Sequence, residues 1–309
     1  MNKQIDPLSQ YEPLFEQLGV AVSRTLANRR GSLSVEVIRP DGEVWVLKIN
    51  QNTKESRSDD RAFALAREVD LLRKHTDVIY DLYRAHGSFT NGQTWMATRK
   101  VQGEQVYNIV KALHADTEKT NEQKSSALCS IILRIAEEYA RIHAAGFLHG
   151  DVQINHVLFE TNEKESERVV VVDWGQGRYV ENDVYPYRGG FIYFLPPEIA
   201  ESVIGEIKPD NLLYTEKAEV YTIAFTLYWL YTNASAIDFR FEQRSELGFD
   251  DFAQMVIDGN LRSFSDVGAL PNRQLETVLL QNMSKDVSAR CRNPQEFFEA
   301  LRGCIDFWG

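Results

Sequence analysis

The sequence predicts an α+β chain in two parts, a small antiparallel β-sheet lobe followed by a larger, mainly helical lobe. Three observations predict it. Apolar residues alternate with polar ones around turn sequences in the first hundred residues. The pattern then changes to helical spacing, first in "SSALCSIILRIAEEYARIHAAG" and again in several later segments. Between the helical runs lie two short apolar strand segments with aspartate-bearing loops, "FLHGDVQINHVLF" and "RVVVVDWGQG". Residues 1–13 are expected as a flexible N-terminus, 14–102 as the sheet lobe with one helix, and 103–309 as the helical lobe.

Taken in order, "YEPLFEQLGVAVSRTLAN" fits either a short helix or the start of the sheet. In "GSLSVEVIRPDGEVWVLKI" the alternation of Leu33, Val35 and Val37, and of Val44 and Val46, about the turn "RPDGE" signals a hairpin. Lys48 ends up on a half-buried strand, either as a surface lysine with a buried stem or as a phosphate anchor. "SRSDDRAFALAREVDLLRKH" has helical spacing, with Ala62, Leu65, Val69 and Leu72 on one face and Ser58, Asp59 and Asp60 as capping candidates. Glu68 on this helix pairs either with Arg61 or Arg73 or with Lys48. "DLYRAHGSF" and "QTWMATRKV" form a second hairpin across "TNG". The long helix that follows points Ile131, Ile132, Ile135, Tyr139 and Ile142 to the core and stops at Gly146. "KAEVYTIAFTLYWLYTN" is apolar but short of a membrane span, so a buried core helix is expected. "DDFAQMVIDG", "LPNRQLETVLLQNM" and "PQEFFEALRGCIDFW" give further helices.

Composition narrows the function. The chain has 309 residues, is 43% hydrophobic and 26% charged, and carries a formal net charge of −11. The acidic balance argues against a nucleic-acid or membrane-surface binder. Cys129, Cys291 and Cys304 are an odd, scattered set with neither disulfide nor metal spacing, which suits the reducing cytoplasm. The N-terminus has no apolar signal-peptide core.

Asp151 and Asp173 sit at the mouths of the two strand segments, with Asn155 or His156 as a third candidate ligand. Two carboxylates on rigid strands can hold a divalent cation and aim an oxygen nucleophile at a phosphate. With Lys48, Glu68, Asp151 and Asp173 in this order, the chain resembles the protein-kinase-like superfamily from about residue 30 to the C-terminus. Within it, the chain is most similar to atypical bacterial-type Ser/Thr protein kinases. "VLKI" resembles the strand with the ATP-anchoring lysine, and Glu68 its helix partner. "HGDVQINHVLF" resembles the catalytic loop, and "VVVVDWG" the metal-binding segment with Trp174 for phenylalanine. "GGFIYFLPPEI" is similar to the end of an activation segment, with Arg290 placed to pair with Glu198. "KAEVYTIAFTLYWLYTN" resembles the buried helix after it, with Glu219 in place of the usual aspartate.

The resemblance implies a bilobal protein-kinase-like fold and an ATP-dependent kinase acting on a protein hydroxyl, most readily Ser or Thr. Asp151 would be the catalytic base and Gln153 its neighbour near the transferred phosphate. Lys48, held by Glu68, would clamp the α and β phosphates. Asp173, with His156 or Asn155, would hold Mg²⁺ or Mn²⁺. Gly31, Ser32, Val46 and Thr98 would line the ATP site. His149 is expected to prop the catalytic loop and His143 to fix the same loop from behind.

Departures from the family pattern are as informative. The loop "NRRGSLSVEV" around Gly31 lacks the glycine-rich pattern. Gly150 replaces the arginine that pairs with a phosphorylated activation loop, which argues against that switch. Gln153 replaces a lysine, Phe191 a threonine, and His156 the usual asparagine. A nitrogen ligand at His156 suits Mn²⁺ at least as well as Mg²⁺. "HGD" followed by this histidine is also similar to aminoglycoside and macrolide phosphotransferases. Small-molecule phosphoryl transfer, a nucleotide-binding scaffold without turnover, and AMP transfer are therefore alternative readings.

Overall fold

The computed structural model describes residues 8–29, 31–51, 58–161, 167–181, 190–205, 213–239 and 247–305. The chain divides into two compact units, Met1–Val101 and Gln102–Gly309.

The first unit opens with a 3-10 turn (Ser9–Tyr11) and helix α1 (Glu12–Leu18). Pro13 starts α1, where its missing N–H costs nothing, and Gly19 at φ +61° ends it in the left-handed region. Strands β1 (Ala21–Arg29), β2 (Ser32–Ile38) and β3 (Val44–Asn50) follow, then α2 (Ser58–Lys74), β4 (Tyr83–Ser88) and β5 (Thr94–Arg99). The strands form one antiparallel sheet in the order β1-β2-β3-β5-β4. The β2–β3 turn is closed by Arg39 N–H to Glu43 O (2.9 Å) and Gly42 N–H to Arg39 O (2.9 Å), with Gly42 at φ +86°.

One face of this sheet is apolar: Leu33, Val35 and Val37 of β2 pack with Trp45, Leu47 and Ile49 of β3 and with Tyr11, Leu14 and Phe15. One expectation is corrected here. Residues 8–13 are not a loose lead-in, because Tyr11 is fully buried against this face. The inward side of β3 is Trp45, Leu47 and Ile49, so Val44 and Val46 lie on the opposite face with Lys48. Along α2, Leu65, Leu71 and Leu72 are buried together with Arg67 and Glu68, whereas Val69 is only half-buried. The side chains of Ser58, Asp59, Asp60 and Ala62 lie outside the described set.

The second unit contains β6 (Gly103–Gln105), α3 (Val106–Ala115), α4 (Asn121–Ala144), β7 (Phe147–Leu148), β8 (Val157–Thr161), β9 (Glu167–Val171) and β10 (Arg178–Tyr179). Helices α5 (Pro197–Ile204), α6 (Glu216–Thr232), α7 (Phe249–Asp258), α8 (Arg273–Asn282) and α9 (Pro294–Ile305) complete it. A capping box starts α4: Thr120 accepts the Gln123 N–H while the Gln123 side chain accepts the Thr120 N–H. Ile131, Ile132, Ile135, Tyr139 and Ile142 are buried along it, and Gly146 follows at φ +91°. Helix α6 is buried nearly all round, from Ala218 to Thr232, and packs with α4, α8 and α9. A helix without a polar face is the axis of its unit. None of the described helices is long and apolar enough to cross a membrane.

Truncating Leu14 to alanine should cost roughly 2–4 kcal/mol, the range for a buried leucine whose cavity cannot collapse. A lowered denaturant midpoint at unchanged slope checks it; an unchanged midpoint would refute the packed N-terminal segment.

Candidate active site

Register brings the two aspartate loops together. Val157 of β8 pairs with Val171 of β9, and the Val172 N–H extends the ladder to His156 O (2.9 Å). The residues just before β8 and just after β9 therefore emerge at one end of the same hairpin. Asp151, Gln153, His156 and Asp173 lie at this end.

The loop before β8 is held from α6. The Glu219 carboxylate, fully buried, accepts the N–H of His149 (2.6 Å) and of Gly150 (3.1 Å), and the Tyr214 hydroxyl donates to it at 2.7 Å. Burial pushes its pKa up; these donors and the Arg178 charge oppose that. His149 Nδ1 accepts the Asp151 N–H (3.3 Å), so the ring hydrogen is on Nε2 and donates to Val172 O (3.0 Å). Burial pushes the His149 pKa down to about 3, and the ring is neutral. Trp174 packs edge-on against it (5.0 Å between centroids) and donates Nε1–H to Val171 O (3.0 Å). His149 thus ties the Asp151 loop to the Asp173 segment, as expected of a prop.

Two backbone positions at this site have positive φ. Gly150 has φ +74°, and a Cβ there would lie 2.3 Å from Gln176 O. The arginine this position lacks has no room. Asp173 has φ +68° and ψ +66°, a left-handed conformation rare for a residue other than glycine.

Gln153 Nε2 donates to Asp151 Oδ2 (3.2 Å). Burial raises the Asp151 pKa; nearby His156 opposes this, and the like charge of Asp173 adds to it. His156 Nδ1 lies 2.9 Å from Asp151 O, a carbonyl that can only accept, so Nδ1 carries hydrogen. Nε2 then faces Asp173 Oδ2 at 3.5 Å. A lone pair opposite a carboxylate is repulsive unless a proton or a cation lies between them. Donors 3.5 Å apart can share one ion at ordinary ligand distances of about 2.0–2.2 Å. Among the described residues no group of three or more His, Cys, Asp or Glu side chains forms a ready metal cluster. Asp173 and His156 could supply two donors, with the remaining positions of a Mg²⁺-type ion left to phosphate or water oxygens. Asn155, the alternative to His156, is exposed, and its carbonyl accepts Gln105 Nε2 (3.3 Å).

In the first unit, Lys48 Nζ lies 2.8 and 2.9 Å from the two oxygens of Glu68. Both groups are largely buried, and breaking such a pair costs about 3–5 kcal/mol. In register, Lys48 pairs with Ser34 and Met96, and Val46 with Glu36 and Thr98. Val46, Lys48 and Thr98 therefore share one face. Gly31, at φ +75°, and Ser32 lie at the β1–β2 turn, where Gly31 O accepts the Gln51 N–H (2.8 Å).

Some placements depart from the reading. His143 does not brace the aspartate loop; its Nε2 lies 2.5 Å from Glu216 Oε1 at the start of α6. Arg290 does grip Glu198 through both terminal nitrogens (2.7 and 2.8 Å). The bracing role of Glu219 and Tyr214 was not foreseen. The available signal was an acid near the start of an otherwise apolar helix, where a buried carboxylate must find donors.

The protein kinase domain family matches residues 30–296. A probable serine/threonine-protein kinase of Dictyostelium discoideum, fnkE, is 20% identical over 178 residues, which is 56% of this chain and 12% of that protein. The chain thus spans 12% of the length of this relative. A crystal structure of the PknI kinase domain of Mycobacterium tuberculosis, in double-mutant form, is 19% identical with a TM-score of 0.55, covering 93% of this chain and 96% of that one. This likeness shows the shared fold.

Two outcomes are expected. Gly150→Ala should drive the loop off its Glu219 anchor and lower stability by roughly 1–3 kcal/mol, as overpacking does; a native melting temperature would refute the close approach of Gln176. Because the folded pKa of His149 lies below its ordinary 6.5, its contribution is present above that value and is lost as pH falls toward about 3. The unfolding free energy of His149→Gln should therefore fall less steeply between pH 7 and 4 than that of the parent chain. Equal slopes in paired denaturation series would disprove a neutral buried ring.

Proposed function

The chain belongs to the protein kinase domain family and is a kinase-like phosphotransferase, and on that premise we propose that it uses ATP with Mg²⁺ or Mn²⁺ to phosphorylate a Ser or Thr hydroxyl of a protein. The supporting observation is the grouping of Asp151, Gln153, His156 and Asp173 at one hairpin end, with His156 between the two carboxylates.

In this reading Asp151 takes the proton of the acceptor hydroxyl as the new O–P bond forms and the bond from the γ-phosphorus to the ADP oxygen breaks. Gln153 holds one carboxylate oxygen so that the other geometry of the acid is fixed. Lys48, steadied by Glu68, binds the α and β phosphates. Asp173 and His156 hold the divalent ion, which supplies charge neutralisation along the phosphates. Gly31, Ser32, Val46 and Thr98 line the nucleotide on the sheet side. Gln153 contributes no positive charge, so the transferred phosphoryl group has one cation fewer than in kinases with lysine there. A protein acceptor is favoured over a small alcohol because Glu198, after Pro196 and Pro197, is held by a buried Arg290, which anchors the end of this segment as a platform for an extended peptide. Three unpaired cysteines accord with a cytoplasmic setting.

Purified chain should label a generic protein substrate on Ser or Thr from γ-labelled ATP, with Mn²⁺ at least as effective as Mg²⁺. Asp151→Asn should lower the rate about 10²- to 10⁴-fold, and Asp173→Ala should remove activity while leaving the fold intact. Labelling of aminoglycosides or other small alcohols alone would transfer the chain to the small-molecule class. Intact-mass analysis separates a phosphoryl adduct from an AMP adduct. A rate untouched by Asp151→Asn would eliminate the assigned base.

A further inference from the structure

We propose that the ring of Phe191 selects the acceptor, as an apolar shelf beside Asp151 that favours a serine or threonine with an apolar residue next to it in the peptide. The inference deepens the kinase reading above and rests on it.

Position comes first. The Phe191 N–H donates to the Asp151 carboxylate and helps to keep it ionised. Gln153 Nε2 donates to Oδ2 of the same carboxylate (3.2 Å). A hydroxyl that gives its proton to Asp151 must therefore come in beside these two residues. A backbone nitrogen hydrogen-bonded to a carboxylate lies about 2.9 Å from it, so the Phe191 side chain starts about one residue's spacing from the base. Successive residues of an extended peptide are likewise about 3.3–3.6 Å apart. The residue next to the acceptor is the one that meets this ring.

The ring is open and held still. Phe191 is 40% exposed, whereas Ile192, Tyr193, Phe194 and Leu195 are 9% exposed or less. It lies edge-on against Tyr193 (4.8 Å between centroids) and tilted over Phe194 (6.2 Å). Phe194 in turn stacks on Trp229 of α6 (5.5 Å, 12° between planes), and Tyr193 packs on Phe239 (4.9 Å) and on Phe252 of α7 (5.1 Å). The Phe194 N–H closes a turn onto Phe191 O (2.9 Å). A lone exposed phenylalanine is ordinary on a protein surface. This one is tied by its backbone to the base and by its ring to an aromatic stack that reaches two helices. A surface already ordered in this way loses little freedom when a substrate covers it.

Charge points the same way. Asp151 is an acid, and Gln153 supplies no cation, so an acidic side chain beside the acceptor gains no partner from either. The substrate class is a protein segment in which Leu, Ile, Met, Val or Phe adjoins the phosphorylated Ser or Thr. Covering about half of the ~80 Å² that the residue leaves open, at about 25 cal/mol per Å², corresponds to a preference of about fivefold.

The test uses the full chain with ATP and Mn²⁺, a synthetic peptide library randomised on both sides of a fixed serine, and dephosphorylated casein as a generic protein substrate. Mass-spectrometric sequencing of the phosphorylated peptides should show apolar residues exceeding Gly, Asp and Glu by about fivefold or more at a position adjoining the serine. Phe191→Ala keeps the backbone N–H to Asp151 and should flatten that position to within about twofold. Phe191→Lys, at a position this exposed, should turn the same position toward Asp and Glu, a gain that misfolding cannot produce. A parent chain that labels casein and the library without enrichment beside the serine overturns the shelf and leaves the kinase reading standing. The parent's apolar pattern in both variants does the same. A parent chain that labels neither casein nor the library defeats the kinase reading, and the shelf falls with it.

Discussion

The Glu219 carboxylate sits inside a helix that has no polar face, and the second unit is arranged to make that tolerable. A buried carboxylate is costly unless donors replace water. Here the donors are two consecutive backbone amides, His149 and Gly150, and the Tyr214 hydroxyl. Satisfying Glu219 therefore fixes the direction of the chain on entry to the loop that carries Asp151. From His149 the tie passes through Nε2 to Val172 O, and so to the residue before Asp173. One buried charge on α6 thus positions both acids. The neutral state of His149 is part of the device, because a protonated ring could not accept the Asp151 N–H at Nδ1.

The same logic accounts for the positive φ angles. Two amides of successive residues converge on one carboxylate only if the backbone turns sharply at Gly150, and the left-handed turn brings Gln176 O against its Cα. No side chain can grow there. The loss of arginine before Asp151, which in sequence looks like a regulatory difference, is thus also a packing constraint. At Asp173 the strain is borne by a residue with a side chain. Trp174, fully buried and bonded to Val171 O, supplies the packing that holds it.

The sequence disclosed some of this and hid the rest for identifiable reasons. Both hairpins of the first unit were readable because their turns carry Gly and Asp or Asn between alternating residues. The inward face of β3 was not, since Val44, Trp45, Val46 and Leu47 are an unbroken apolar run with no period. Around Tyr11, Leu14 and Phe15 the choice between helix and strand stayed open, because a seven-residue helix holds under two turns of pattern. The pairing of Lys48 with Glu68 and of Glu198 with Arg290 was anticipated from motif order. The Glu219 anchor was not, because its partners are backbone amides some seventy residues earlier, and backbone groups leave no mark in sequence. The ion pairs of Glu36 with Lys100 and Arg24 were hidden likewise: in sequence, an acid on a strand that alternates looks like a solvent-facing residue.

Gly150, Gln153 and His156 are departures of different kinds, and the structure separates them. Gly150 is imposed by the Gln176 carbonyl and concerns the backbone. Gln153 alters charge while keeping contact, since its amide still reaches Asp151 Oδ2. His156 alters both. Its Nδ1–H is committed to the Asp151 carbonyl, so its remaining nitrogen is directed toward Asp173. An asparagine in its place would offer an oxygen there, so in the proposed function the exchange would change the donor that a cation meets from oxygen to nitrogen.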